Sequence, residues 1–394
     1  MTTAVAVSDI SAFNAPNATF TKVPYANVTY DDATEYDAAA HSFKASVAGD
    51  YEFCASLTSL PASLTLGFEL DLFINGARER AFAGGGNGFQ QGCRTVHLAA
   101  NDTVDVEVYQ NSGATVNFAT NVYWDWLTVS KVDSHVSLGD ASGFSAPSMV
   151  FTKVPYSTVL YDVANEYDAA NHDFVPVTSG DYQFCASLTA VPASLTLSFE
   201  LDLYIDGQRE KAIAGGGAGF QQGCRTVRLT AGQTVAIEAY QGGGTTVAFA
   251  NNVYWNWLTI DKVASHASVS DVTAFSAPNM TFTSVPYANA LNNTGEFATG
   301  TQTFTAATAG DYEFCGSLTS IPASATADYE LDLYIDGARE KAFAGGGSGF
   351  EQGCRTVRLN QSQKVSIEVY QGTAAALAYA QNVYWNWMTV NKTK

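Results

Sequence analysis

The chain repeats itself three times over, and that repetition decides most of what it can fold into. The nonapeptide N-V-Y-W-D-W-L-T-V at 121–129 returns as N-V-Y-W-N-W-L-T-I at 252–260 and as N-V-Y-W-N-W-M-T-V at 382–390, in steps of 131 and 130 residues. The same step carries G-D-Y-E-F-C at 49–54 to G-D-Y-Q-F-C at 180–185 and G-D-Y-E-F-C at 310–315. It also carries E-L-D-L-F-I-N-G at 69–76 to E-L-D-L-Y-I-D-G at 200–207 and 330–337. A period this long exceeds a solenoid repeat and matches a whole domain. The 394 residues therefore divide into domains at 1–133, 134–264 and 265–394, each long enough to bury a core.

Within each copy the pattern is all-β. Short runs rich in Val, Tyr, Phe and Thr alternate with turn residues, and no stretch holds a helical period. V-D-V-E-V-Y at 104–109 alternates strictly, as do V-A-I-E-A-Y at 235–240 and V-S-I-E-V-Y at 365–370, so these strands have one buried and one wet face. Many short strands of this kind imply a sandwich or barrel. No apolar run is long enough to span a membrane. The N-terminus shows neither a basic n-region nor an apolar h-region, so no classical secretion signal is visible.

The order of landmarks resembles the C1q/TNF-like jelly roll, most closely the C1q-like globular domain. In the first copy the resemblance rests on Ala12-Phe13, Val28-Thr29-Tyr30-Asp31, Phe43, Gly49-Asp50-Tyr51-Glu52-Phe53 and Leu72-Phe73-Ile74-Asn75-Gly76. Val96-His97-Leu98, Asp102-Thr103-Val104 and the Trp segment complete it, and the other copies follow. The Trp pair and the Gly-rich loop at 84–88 depart from the family pattern. The resemblance implies three tandem jelly-roll β-sandwiches, and because C1q-like domains trimerise, it implies a single-chain pseudotrimer.

The Trp segment fits that arrangement. Read as a strand, it places Trp124 and Trp126 on one face and Tyr123 and Leu127 on the other, because successive side chains alternate. One face serves the domain's own core and the second needs a neighbour, so Tyr123, Trp124, Trp126, Tyr254, Trp255, Trp257, Tyr384, Trp385 and Trp387 are expected at interdomain interfaces. The stretch S-L-G-D-A-S-G at 137–143 reads as a polar linker suited to a close crossing. Three independent beads are the alternative.

Each domain has two cysteines: Cys54 and Cys93, Cys185 and Cys224, Cys315 and Cys354. An even count at matched spacing suggests one disulfide per domain, with two buried thiols as the alternative. A disulfide implies an oxidising location: extracellular, cell surface or virion surface. The formal charge of −19, from 38 acidic and 19 basic residues, argues against nucleic acid and against anionic lipid.

Catalysis finds little footing. No G-x-S-x-G occurs, and the five histidines form no repeated set; His135 and His266 fall in the linkers. No cofactor is implied. Asp31, Asp32, Glu35 and Asp37 offer oxygen ligands suited to calcium, but the third copy keeps only Glu296, and a solvated acidic loop accounts for them. Glu69 and Asp71, with Glu200/Asp202 and Glu330/Asp332, are expected to pair with Arg78 and Arg94, Arg209 and Arg225, and Arg339 and Arg355.

The Gly-rich segment persists in all copies. It nominates Gly84, Gly85, Gly86, Gln91, Arg94, Gly215, Gly216, Gly217, Gln222, Arg225, Gly345, Gly346, Gly347, Gln352 and Arg355 as loop contacts. The expected function is non-enzymatic recognition of glycan or protein through exposed loops. The alternative is a structural subunit that packs on copies of itself or on a scaffold.

Overall fold

The computed structural model describes residues 4–59, 67–84, 88–190, 198–215, 219–321, 329–346 and 349–393. The chain forms two compact units, Met1–Ser134 and His135–Lys394. Among the described residues the regular structure is entirely β.

In the first unit one sheet runs Tyr25–Asp31, Ala4–Ile10, the N-terminal part of Trp126–Ala141, Gly49–Thr58, Phe89–Leu98. The second runs Tyr36–Asp37, Ser42–Lys44, Thr103–Gln110, Phe68–Ile74, Ala77–Ala83. The pairing is nested. Ala4–Ile10 pairs with Trp126–Ala141, Ser42–Lys44 with Thr103–Gln110, Gly49–Thr58 with Phe89–Leu98, and Phe68–Ile74 with Ala77–Ala83. First meets last and the order closes inward, which is a long antiparallel hairpin rolled into a jelly roll. At its tip Asn75 and Gly76 both have positive φ, 53° and 78°, the type I′ geometry that Asn-Gly favours.

The second unit holds the same order twice. Its first sandwich has one sheet of Tyr156–Asp162, the C-terminal part of Trp126–Ala141, Trp257–Val272, Gly180–Thr189 and Phe220–Leu229. Facing it are Tyr167–Asp168, Asp173–Phe174, Val235–Gln241, Phe199–Ile205 and Gln208–Ala214. Tyr182, Phe184, Ala186 and Leu188 meet Leu201, Leu203, Val235 and Ile237 across the core. Each fully buried aliphatic or Phe side chain of this kind contributes about 1.5–3 kcal/mol. The second sandwich repeats the arrangement with Gly310–Ile321 and Phe350–Leu359 in one sheet and Tyr329–Ile335, Ala338–Ala344 and Lys364–Gln371 in the other.

The stretch at 137–143 is not a linker. Trp126–Ala141 is one continuous strand of 16 residues, and so is Trp257–Val272. In the latter, the N-terminal half pairs with Gly180–Thr189 and the C-terminal half with Tyr287–Asn293 and Trp387–Lys392. Its polar letters mislead because Ser268 and Ser270 sit on a buried strand whose alternate residues, Ala267 and Val269, enter the core. His135 and His266 likewise lie in strands, each beside a buried glutamate, Glu166 and Glu296.

Each cysteine pair lies directly across two neighbouring strands, and the sulfurs are joined: Cys54–Cys93, Cys185–Cys224 and Cys315–Cys354. The Cα atoms are 4.0 Å apart in every pair. Three disulfides mark a chain that matures outside the reducing cytosol.

Candidate functional site

The Trp segment departs from the strand reading. The strands begin only at Trp126, Trp257 and Trp387. The residues before them form a turn that the asparagine builds. Asn382 Oδ1 accepts the N–H groups of Tyr384 at 3.1 Å and Trp385 at 3.2 Å, and the Asn386 N–H reaches the Asn382 carbonyl at 3.0 Å. An asparagine side chain closing on the backbone two residues ahead is a standard turn initiator, and here it outweighs β-propensity. The turn is pinned from the other side by Asp271. That residue adopts φ 63°, and its carboxylate accepts the Asn382 N–H at 2.6 Å. Asp140 does the same for Asn252 at 2.8 Å.

Within the second unit this turn closes a boundary between the two sandwiches. The strand Gln208–Ala214 lies at the edge of its sheet, where backbone groups lack partners. Ala212 finds both of its own in the third repeat: its N–H donates to the Tyr384 carbonyl at 3.0 Å, and its carbonyl accepts the Trp387 indole N–H at 2.9 Å. Trp387 is fully buried, with the Arg225 guanidinium 4.8 Å from its ring centre. Trp385 stacks edge-on against Phe350 and lies so close to Gly215 that a Cβ there would sit 2.8 Å from its ring. At Gly223 a Cβ would come within 1.9 Å of the Ile213 carbonyl and 2.3 Å of Gln352 Oε1. These two glycines are required by close approach.

Deeper in the boundary the contact is polar. Gln183 Nε2 donates to Glu313 Oε2 at 2.8 Å, and Asn391 Nδ2 donates to that oxygen at 3.1 Å and to Thr226 Oγ1 at 2.7 Å. All four groups are buried, and each donor is matched to an acceptor. None of the four was singled out by sequence, although the repeated position Glu52, Gln183, Glu313 carried a signal: the middle copy exchanges an acceptor for a donor.

The acidic pairs meet one of their two expected partners. Arg209 donates from Nε to Asp202 at 2.6 Å and from Nη2 to Glu200 at 3.2 Å, and the pattern recurs at Arg78 and Arg339. Arg94, Arg225 and Arg355 turn instead to Glu79, Glu210 and Glu340. Burial first, and then the charge of Asp202, push Glu200 up to about 8; Glu69 rises to about 9 for the same reasons. Burial likewise raises Asp71, Asp202 and Asp332 to about 6, against the pull of the neighbouring arginine. At Glu69 and Glu200 the shift favours the protonated acid, which leaves the charge of the neighbouring aspartate facing one guanidinium. Arg209 is further sandwiched by Phe151 at 4.7 Å and Tyr384 at 4.3 Å, so this cluster borders the same boundary.

The nominated loop contacts need correction. Gln91 and Arg94 lie inside the strand Phe89–Leu98, Gln222 and Arg225 inside Phe220–Leu229, and Gln352 and Arg355 inside Phe350–Leu359. The three arginines are buried, so they hold strand edges and do not present an exposed loop. Gly84, Gly215, Gly345 and Gly346 are described, while Gly85, Gly86, Gly216, Gly217 and Gly347 lie outside the described residues. In the other copies Trp124 and Trp255 stack edge-on with Phe89 and Phe220, Trp126 and Trp257 are buried, and Tyr123 and Tyr254 are exposed.

The acidic segment acts on its own backbone. Asp31 accepts the N–H groups of Glu35 and Tyr36, and Asp37 those of Ala39 and Ala40, which hold the Asp37 carboxyl below its usual value. In the third copy Asn293 Oδ1 takes over from Asp31, accepting from Gly295 and Phe297. The position needs an acceptor and not a charge, which is why its sequence drifts. Glu313, Cys315 and Cys354 come within metal-binding reach of one another, but both sulfurs are bound in the disulfide.

No known family model matches the chain, and no curated protein does. Among solved structures there is weak likeness to the ANX2 ectodomain of Arabidopsis thaliana, at 11% identity over 64% of this chain and 88% of that one, TM-score 0.21. PNGF-II aligns at 9% identity over 99% and 98%, TM-score 0.25, and a Paenibacillus xanthan lyase at 12% over 73% and 30%, TM-score 0.19. Likeness at these scores carries no argument about function.

Proposed function

We propose that the chain is a non-enzymatic recognition module of the C1q-like type, whose three jelly-roll repeats are arranged as a single-chain pseudotrimer displayed outside the cell or on a particle surface. Its ligand is a glycan or a protein. The observation that carries this reading is the boundary in the second unit, where the turn of one repeat plugs the open sandwich edge of another. Such a contact is heterologous: each repeat has one turn to give and one edge to receive, and a contact of this type either closes into a ring or continues as a filament. By sequence the first repeat owns both parts as well, in N-V-Y-W-D-W at 121–126 and A-R-E-R-A-F-A at 77–83.

Small-angle scattering of the purified chain tests the arrangement. A monomer with a radius of gyration of ~21 Å, the value for a globular chain of this length, is the expected result. A profile of separated beads would overturn it. A glycan array probed with the same sample tests the ligand class.

The structural-subunit reading has one observation in its favour. Tyr156–Asp162 is an edge strand with Val159 and Leu160 exposed, a pattern suited to pairing with another copy. Electron microscopy of concentrated protein distinguishes the two, since ordered assemblies support the second reading.

A further inference from the structure

Beside the boundary in the second unit lies an open cavity of about 210 Å3. Its walls come from both repeats: Asp181, Ile205, Arg225 and Arg228 from one, Ser265 and Leu291 from the other. Three of these present buried polar atoms that make no hydrogen bond. Arg225 is 1% exposed, yet its Nε and Nη1 make no hydrogen bond. Asp181 Oδ1, which has only a loose ion pair with Arg228, and Ser265 Oγ are also buried and make no hydrogen bond. Groups of this kind are ordinarily paired, and several converging on one cavity point to a missing occupant.

In the third repeat the equivalent of Asp181 and Arg228 is a closed pair: Arg358 donates from Nε and Nη2 to the two oxygens of Asp311, at 2.7 and 2.9 Å. In the second repeat Arg228 stands 3.5 Å from Asp181 and is 68% exposed. That distance is beyond a good hydrogen bond. The same residue pair is shut in one place and open at the mouth of the cavity in the other.

We propose that this cavity binds one neutral sugar ring of a glycan, a proposal that rests on the recognition reading above. Arg225 and Arg228 donate to ring and hydroxyl oxygens, Asp181 accepts from a hydroxyl, and Ser265 does either. Ile205 and Leu291 offer an apolar wall to the C–H face. The two arginines are balanced by Asp181 and Glu210, so the site has no net charge to favour an acid, and the chain's charge of −19 repels one. The volume lies below the roughly 300–1,000 Å3 of pockets that enclose larger ligands, which suits one ring and not a chain.

The test titrates the full chain with glucose, galactose, mannose, N-acetylglucosamine and glucuronic acid, read by saturation-transfer NMR. At least one neutral sugar is expected to bind with a Kd on the order of millimolar. Asp181→Asn and Leu291→Trp, the second of which fills the mouth from an exposed position, should each weaken binding about tenfold or more, while Asp311→Asn leaves it unchanged. Thermal midpoints equal to the parent's show that the variants fold.

Neutral-sugar binding that survives both cavity variants overturns this site and leaves glycan recognition standing. Binding of glucuronic acid alone overturns the neutral-ring assignment. If none of the five sugars binds while the array gives glycan hits, the cavity assignment fails by itself. If both are negative, the glycan reading fails with it.

Discussion

At Glu200 a buried carboxyl sits beside Asp202 and shares Arg209 with it, so its proton belongs to the folded state. Its folded value of about 8 lies well above the ~4.3 of a glutamate in an unfolded chain. Between those values the folded form holds a proton that the unfolded form has lost, so stability falls as pH rises through that window. Glu69, Asp71, Asp202 and Asp332 shift in the same direction. Calorimetry from pH 5 to pH 9 should show a declining midpoint, and Glu200→Gln should flatten part of the decline. A midpoint that climbs over this range would show that the carboxyls are not protonated when folded. Gln183 makes the converse case. Replacing it with glutamate sets a second carboxylate against Glu313, where the amide donated at 2.8 Å. Loss of a partner at a buried charge costs about 3–5 kcal/mol, and here part of that cost should vanish near pH 5, where the two acids share a proton. Urea denaturation of Gln183→Glu at the two pH values checks both halves.

At the scale of the element, the boundary depends on an edge strand and a turn. Trp387→Phe removes the N–H that satisfies the Ala212 carbonyl and leaves a smaller ring over Arg225. Leaving that acceptor buried and unpaired costs about 1–3 kcal/mol. The expected result is a lower denaturation midpoint with an unchanged m-value; no measurable loss would mean water replaces the indole. Sequence reading anticipated much of this architecture, because alternation in V-A-I-E-A-Y and the matched cysteine spacing both express local rules. It failed where one local rule overrode another. N-V-Y-W-N-W has the composition of a strand, yet Asn382 folds its first half into a turn, and the alternation of Trp385 with Trp387 loses its meaning. Arg225 and Gln222 failed differently. Polar letters after a Gly-rich run read as loop, whereas the run ends before a ten-residue strand whose arginine is buried beneath a tryptophan from another repeat. Contacts that join residues 175 positions apart, as Trp387 and Ala212 are, leave no trace in local pattern.

For the molecule as a whole, the second repeat cannot be taken out without cost. A fragment of residues 135–264 keeps its own sandwich but loses the turn that satisfies Ala212 and the ring that covers Arg225. It should self-associate with rising concentration in sedimentation, using its bared edge. A fragment that stays monomeric at high concentration, with the thermal midpoint of the full chain, would show that the edge is self-sufficient. The shared strand Trp257–Val272 adds something that the boundary does not. Its two halves are hydrogen-bonded into different sandwiches, with no slack between them. A pull on the chain would therefore reach both sheets through one rigid strut, loading rows of hydrogen bonds together along the strand and not peeling them singly. Beads on flexible tethers yield one at a time under tension; these two sandwiches should hold as a unit and then give way together.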